Sequence, residues 1–255
     1  MNGLLPLVEQ VSLTGWVSLI VFLRVAAAVS VMPALGEQMI STRIRLVVAL
    51  LLTVALTPVV TSTFVVPEPS LRVFFRALAT ETLSGLFLGM ILRTFMLAIQ
   101  TAGAIAAQST SLSQLLGQSG LDPLPAVGNI LALAALALLM VTGFHVKAAA
   151  FLILSYEILP ALAFPNPADV AEAGSARIAK CFALAFTLAA PFVVLSVLYN
   201  LTLGVINKAM PQLMVAFVGA PVITFGAIAF LLVSAPLMLT VWLQALDGFL
   251  ATPFR

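Results

Sequence analysis

Charged residues are scarce in this chain of 255 residues. Lys and Arg number 11 and Asp and Glu number 9, so charged residues make up 8% of the sequence, against about 25% in an average soluble domain. So few charges cannot cover the surface of a soluble globule, because 62% of the residues are hydrophobic and must themselves be shielded from water. The composition therefore predicts a membrane protein.

Cysteine and histidine are nearly absent as well. Cys181 is the only cysteine, which excludes an internal disulfide, and His145 is the only histidine, which excludes a His-rich metal site. No glycine-rich phosphate loop followed by Lys-Ser or Lys-Thr occurs, and a net charge of +2 gives no basic patch for nucleic acid. We expect a protein that is not an enzyme, with no metal, no cofactor and no nucleic-acid partner.

Long charge-free stretches are what the sequence does contain. A span needs roughly 20 apolar residues, and solid runs do not show the alternation of a membrane β-barrel. The sequence thus predicts an all-α, multi-helix integral membrane protein with six or seven helices, forming a single domain over residues 1–255. The candidate segments are Val11–Met32, Leu46–Pro67, Thr94–Leu121, Pro123–Phe144, a segment after Lys147, Cys181–Asn207 and Ala209–Leu246.

Proline clusters mark the joints between these segments. Pro67–Ser70 indicates a helix end followed by a new start, with Ser70 as a candidate N-cap. Pro165–Asp169 indicates a turn followed by a short polar helix that runs to Lys180. Positive charges occur at nearly every joint, so the positive-inside rule does not decide an orientation.

The stretch Gln108–Gly120 is polar but uncharged. Ten of its thirteen residues are Ser, Thr, Gln or Gly. Irregular backbone at membrane depth survives only where it is shielded from lipid, so this composition suits a loop that lines a wet cavity or plugs a pore. A plain external loop is the alternative.

A second unusual stretch follows Asn207. Ala209–Leu246 covers 38 residues, about 57 Å as one helix, which is too long for one crossing. Pro211, Pro221 and Pro236 fall within it, so we expect a hairpin or a broken helix. Such interruptions can mark a substrate path, and a simple proline kink is the other interpretation.

Three ionisable residues, Arg24, Glu81 and Arg93, lie inside apolar sequence. Each is expensive in lipid, so each should face a partner, a polar cavity or the interface. Glu81, Gly85 and Gly89 share a helix face, and the two glycines allow another helix to pack closely. Structural packing is favoured over a proton or ion site, although a secondary transporter for a small solute would use the same charges.

The order of these features resembles the FliR family, and the likeness covers almost the whole chain. Its most specific part is Asn207–Pro221, which reads N-K-A-M-P-Q-L-M-V-A-F-V-G-A-P. The other matching features are Phe22-x-Arg24, Pro33, Gly36, Arg43–Arg45, Leu50–Thr53, Pro58, Glu81-x3-Gly85-x3-Gly89, Ala102-Gly103 and Asp122-Pro123.

The resemblance implies a structural part of the flagellar type III protein export gate in the bacterial inner membrane, at the flagellar basal body. FliP-like and FliQ-like subunits would be its partners, together with other export-apparatus membrane proteins, membrane lipid and the unfolded flagellar proteins that are exported. The fold would resemble a FliP-like plus FliQ-like fusion. Two sets of residues follow from the resemblance. The loop that plugs the closed channel would comprise Gly103, Gln108, Ser109, Ser111, Gln114, Gly117, Gln118, Gly120, Asp122 and Pro123. The motif that breaks the helix and contacts other subunits would comprise Asn207, Lys208, Pro211, Gln212, Gly219 and Pro221.

Two positions depart from the family's usual pattern. Members often have Arg where this chain has Lys208 and Asn where it has Met214. Related virulence secretion proteins tend to carry Lys-Ser just after the proline that corresponds to Pro221. Val222-Ile223 follows here instead, which looks more flagellar.

Overall fold

The described residues fold almost entirely into α-helices. The computed structural model describes residues 5–62, 68–110, 126–210 and 215–253. Over these ranges it has no strand, and the all-α fold predicted from the solid apolar runs is confirmed. Its helices are α1 (Leu5–Val31), α2 (Thr42–Val60), α3 (Leu71–Thr110), α4 (Ala126–Val141), α5 (Phe144–Ile158), α6 (Pro167–Ala209) and α7 (Val215–Ala251).

Five of these helices are long and apolar enough to cross a membrane, namely those that contain Leu13–Val31, Thr42–Val60, Leu71–Gln108, Pro167–Ala209 and Phe225–Ala251. The pair α4 and α5 raises the number to six if the two together form one broken span, since they are bent by 76° at the break between them. The architecture predicted from composition, a multi-helix membrane protein with broken helices, is therefore confirmed.

The bend between α4 and α5 lies at a glycine. Gly143 has a φ of 72°, in the left-handed region that glycine enters without steric cost, and α5 begins directly after it. The apolar run predicts that this helix begins after Lys147. Instead Lys147 lies in the first turn of α5, and its backbone N–H donates to the carbonyl oxygen of Gly143 at 3.4 Å.

The predicted helix end at Lys180 is wrong, whereas the broken helix expected after Asn207 is present. The short polar helix expected up to Lys180 is the beginning of α6, which continues without a break to Ala209 and contains Pro191. Within the stretch Ala209–Leu246 the chain breaks between α6 and α7, and α7 then continues through Pro221 and Pro236. A proline weakens a helix by removing one backbone donor, and apolar membrane helices tolerate this when the freed carbonyl is satisfied nearby.

The chain divides into two compact units, and the first comprises Met1–Thr94 and Leu139–Arg177. Its core contains apolar side chains of α1, α2, α3 and α5. Two serines begin its helices. Ser41 Oγ accepts from the N–H of Ile44 at the start of α2, and Ser70 Oγ accepts from the N–H of Val73 at the start of α3. The N-cap predicted for Ser70 is confirmed.

The second unit comprises Phe95–Leu138 and Ile178–Arg255. Its core is centred on Trp242 of α7, which is fully buried. The indole Nε1 of Trp242 donates to the carbonyl oxygen of Phe95 at 2.7 Å. Phe192 of α6 meets Phe230 of α7 edge to face, with ring centroids 4.8 Å apart. The single membrane domain over residues 1–255 stays a prediction.

Candidate functional site: charged contacts, glycine contacts and the polar segment

Arg24 and Glu81 form an ion pair inside the first unit. Arg24 lies on α1 and Glu81 on α3, both side chains are fully buried, and Arg24 Nε donates to Glu81 Oε2 at 2.7 Å. A buried charge without a partner would cost several kcal/mol. The pairing that the sequence analysis expected for these intramembrane charges is therefore present.

The other donors of Arg24 point to α5 and its end. Nη1 donates to Ser155 Oγ at 3.2 Å, and Nη2 donates to the carbonyl oxygen of Leu159 at 2.8 Å. The guanidinium carbon lies 3.7 Å from the ring centroid of Tyr156, a cation–π arrangement. The guanidinium group of Arg24 thus contacts α3, two side chains of α5 and the backbone that follows α5.

The second oxygen of Glu81 holds the same turn. Oε1 accepts from the backbone N–H of Leu162 at 2.7 Å, and the carbonyl oxygen of Leu162 accepts from Arg76 Nε at 2.8 Å. Both carboxylate oxygens of Glu81 therefore have a donor, as a buried charge requires. These bonds tie the carboxylate of Glu81 to α1 and to the turn after α5, which favours a packing role for this residue.

The predicted close contact at Gly85 and Gly89 is present between α3 and α1. A Cβ atom on Gly85 would overlap the carbonyl oxygen of Arg24 and lie 2.8 Å from Ala27 Cβ. A Cβ atom on Gly89 would lie 2.7 Å from the carbonyl oxygen of Ala28. Only glycine lets the two backbones come so near, so these positions bring Glu81 within reach of Arg24.

Arg93, the third intramembrane charge, pairs with Glu37. Nη1 of Arg93 donates to Glu37 Oε1 at 2.7 Å, and both side chains are partly exposed. Glu37 lies in the loop between α1 and α2, where Arg45 also contacts the backbone: its Nη2 donates to the carbonyl oxygens of Glu37 and Ile40. Two arginines therefore hold this loop in place.

The residues of the predicted plug fall into two groups. Gly103 is a buried residue of α3, where an added Cβ would overlap the Cα of Gly128 on α4, and Gln108 is an exposed residue near the end of α3. Ser109 falls in the last turn of that helix. The remaining positions, Ser111, Gln114, Gly117, Gln118, Gly120, Asp122 and Pro123, lie outside the described residues. The plug stays a prediction.

The helix-break motif is distributed over three places. Asn207 and Lys208 are exposed residues in the last turn of α6. Gly219 and Pro221 belong to the first turns of α7, and Pro211 and Gln212 lie outside the described residues. A break between two helices does occur at this motif, and its role in subunit contact stays a prediction.

Sequence reasoning missed several residues that take part in these contacts. Ser155, Tyr156 and Leu162 gave no signal, because a serine, a tyrosine and a leucine near the end of an apolar run are ordinary there. Gly128 was detectable in principle, since it is a glycine in the first turn of an apolar helix. Glu37 was visible as a charge at a joint, but nothing in the sequence related it to Arg93.

A cluster of metal-ligating side chains is not found in the part of the chain that the structure describes. Those residues contain no group of three or more His, Cys, Asp or Glu side chains that could hold a metal. In the second unit α4 and α7 border an open cleft of about 730 Å³, lined by apolar side chains such as Ile130, Phe225, Leu232 and Pro236. A cleft without polar groups lacks what fixes a polar ligand in a defined orientation.

Comparison with known proteins identifies relatives over most of the chain. The family model described as Bacterial export proteins, family 1, matches residues 16–249. The chain is 36% identical over 230 residues to the flagellar biosynthetic protein FliR of Caulobacter vibrioides, covering 89% of this chain and 91% of that protein. It is 31% identical over 213 residues to the FliR protein of Bacillus subtilis, covering 80% of each. For the FliR protein of Escherichia coli the identity is 28% over 222 residues, covering 85% and 83%.

Proposed function

The chain belongs to the bacterial export proteins, family 1, and we therefore propose that it serves flagellar protein export as a component embedded in the membrane. The observation that carries this proposal is the family match over residues 16–249, supported by relatives named as flagellar biosynthetic proteins. The five apolar helices suit a protein of the bacterial inner membrane. In this role the chain is structural and performs no catalytic step.

We further propose that the chain forms one wall of a protein-conducting channel together with FliP-like and FliQ-like subunits. Support comes from the apolar side chains that the second unit leaves exposed on α6, from Ile178 through Phe186 and Leu201 to Val205. At 1.5 Å per residue they extend over about 40 Å, whereas the hydrocarbon core of a bilayer is about 30 Å thick. Lipid cannot cover such a length alone, and neighbouring helices would cover the rest.

The polar segment Gln108–Gly120 is proposed to close the channel at rest. Uncharged polar side chains can seal a pore by mutual hydrogen bonds and hold no fixed charge that would retain a passing polypeptide. The segment leads from the end of α3 to α4, so that it connects two apolar helices. Unfolded flagellar proteins would be the substrates, and energy would come from outside this chain.

A deletion strain complemented by a tagged copy of the chain tests the export function. Without the chain, we expect no filaments and no filament protein in the medium, and purification of the tagged copy in mild detergent should bring down two further small membrane proteins. Normal filaments in the deletion strain would refute the export function. A stable monomer or homodimer that binds a small solute would instead favour a transporter.

The plug is tested separately by deleting Ser109–Gly117 in the complementing copy. We expect the shortened protein to co-purify with the same subunits while resting cells leak ions, measured as membrane depolarisation. The matched control is Gly174→Ala, a change in α6 where an added methyl group meets no atom within 4 Å, and it should leave conductance at the parent level. Unchanged ion conductance with normal export in the deletion variant would contradict the plug and leave the export function standing.

A further inference from the structure

The turn that follows α5 is held by charged side chains in addition to one bond of its own backbone, from the N–H of Ala163 to the carbonyl oxygen of Pro160 at 3.3 Å. Three of its polar backbone groups bind to the side chains of α1 and α3. The carbonyl oxygen of Leu159 accepts from Arg24, the N–H of Leu162 donates to Glu81, and the carbonyl oxygen of Leu162 accepts from Arg76. The bonds of Arg24 and Glu81 are partly buried, and backbone groups shielded from water need such partners when no helix or sheet supplies them.

The end of α5 suits a buried cation. The last carbonyls of a helix carry a partial negative charge and have no partner within the helix. Arg24 lies at this end, where its Nη2 donates to the carbonyl oxygen of Leu159 and its Nη1 donates to the hydroxyl oxygen of Ser155. The Ser155 hydroxyl in turn donates to the carbonyl oxygen of Leu152 at 2.6 Å. Arg24 therefore caps α5 from a different helix.

The turn also contains a residue in an unfavourable backbone conformation. Leu162 has a φ of 63°, in the left-handed region where a Cβ approaches the following carbonyl oxygen. A leucine stays there only if its surroundings hold it. The two backbone bonds of Leu162 go to Glu81 and Arg76, both on α3, which fix the peptide groups on either side of the strained Cα.

We propose that Arg24 and Glu81 are positioning residues that end α5 and hold the turn Leu159–Phe164, and that the attraction between their charges is subordinate to this role. The charges make the side chains compatible with burial, since each neutralises the other. Their bonds to the turn fix the place where the chain leaves α5 and, three residues after Phe164, begins α6 at Pro167. This role is independent of the proposed export function.

Exchanging the two charges separates a positioning role from a plain ion pair. The double variant Arg24→Glu with Glu81→Arg keeps two opposite charges at the same sites. A glutamate at position 24 cannot donate to the carbonyl oxygen of Leu159, and an arginine at position 81 cannot accept from the N–H of Leu162. A plain ion pair would survive the exchange, whereas the positioning role would be lost.

The first unit contains a matched control for this exchange. Arg93 and Glu37 form an ion pair of the same length, 2.7 Å, at partly exposed positions. No backbone group is among the contacts described for the two side chains. The variant Arg93→Glu with Glu37→Arg should therefore preserve its pair and leave the turn after α5 unchanged.

A cysteine in the turn reports its opening in native membranes. The parent for this assay carries Cys181→Ala and Ala161→Cys, and the measured quantity is its rate of labelling by a maleimide. The exchange removes two bonds between charged groups and the turn, and a combined loss of at least about 1.4 kcal/mol raises the open population at least tenfold. We expect labelling at least about tenfold faster in the Arg24/Glu81 exchange and within twofold of the parent in the Arg93/Glu37 exchange.

Two further variants cover the case in which the exchanged pair does not accumulate. Arg24→Met with Glu81→Met removes both charges while preserving apolar volume, which often leaves stability nearly unchanged, and should also label about tenfold faster. Arg76→Ala leaves the buried pair intact and removes the exposed bond to the carbonyl oxygen of Leu162. Because water can replace an exposed donor, this change should raise the rate only about threefold. A reporter at His145→Cys, at the exposed start of α5, should not change. The proposal would be overturned if the Arg24/Glu81 exchange variant were labelled at the parent's rate. It would also be overturned if both the double-methionine variant and Arg76→Ala were labelled at that rate.

Discussion

Replacing Gly85 by alanine is expected to force α3 away from α1. The new Cβ would overlap the carbonyl oxygen of Arg24 and lie 2.8 Å from Ala27 Cβ. The first of these atoms belongs to helical backbone, which cannot rotate aside as a side chain can. Relief therefore requires a shift of one helix relative to the other, at the level where Arg24 meets Glu81.

The size of the effect follows from two opposing contributions. Forcing an extra methyl group into a packed contact costs about 1–3 kcal/mol, while alanine in place of glycine in a helix gains about 1 kcal/mol. Because the added atom meets α1 at two points, we expect a net loss of about 1–2 kcal/mol. The control Gly174→Ala, on α6 of the same unit, meets nothing within 4 Å and should gain about 0.5–1 kcal/mol.

The two variants should therefore shift thermal stability in opposite directions. The assay heats detergent-extracted protein and measures the remaining monodisperse fraction by size-exclusion chromatography, with the tagged parent alongside. Gly85→Ala should lose half of its signal at a lower temperature than the parent, and Gly174→Ala at a higher one. If Gly85→Ala equals or exceeds the parent, the close contact between α1 and α3 is not what this glycine provides.

The same assay tests two contacts of the second unit. Gly103→Ala should destabilise the protein by about 1–2 kcal/mol, because the new Cβ would overlap the Cα of Gly128. Gly128→Ala should be close to neutral, because its new Cβ would lie 3.4 Å from the nearest atom. Equal losses of stability in the two variants would refute this difference between the two glycines. Trp242→Phe should cost about 1–2 kcal/mol through its bond to the carbonyl oxygen of Phe95, and more than Trp16→Phe, because Trp16 Nε1 has no hydrogen-bond partner among the described residues.

Burial cost made the charged contacts partly predictable from sequence. Arg24, Glu81 and Arg93 are conspicuous because an ionisable residue in an apolar run must find a partner, and the structure supplies one for each. The spacing of Gly85 and Gly89 likewise predicts a close contact. What the sequence could not give is the identity of the partners, because Glu37 lies 56 residues from Arg93 and Leu162 lies 81 residues from Glu81.

Helix boundaries were less predictable, because the sequence signals for them are ambiguous in an apolar chain. A proline followed by charged residues reads as a turn and a short polar helix, and at Pro167 it is the first turn of a 43-residue helix. Pro221 and Pro236 show the converse, since α7 continues through both although each proline removes one backbone donor. Gly143 ends α4 where no proline occurs, through its left-handed conformation.

The uninformative distribution of positive charges has a structural cause. A count of Lys and Arg at the joints treats each of them as a signal for orientation. In the first unit, however, Arg45 binds the backbone of the loop after α1, Arg93 pairs with Glu37 of that loop, and Arg76 binds the turn after α5. Arginines that hold turns occur wherever a turn needs a donor, whichever side of the membrane that turn faces. The positions of these three arginines therefore follow the irregular backbone that they hold in the first unit.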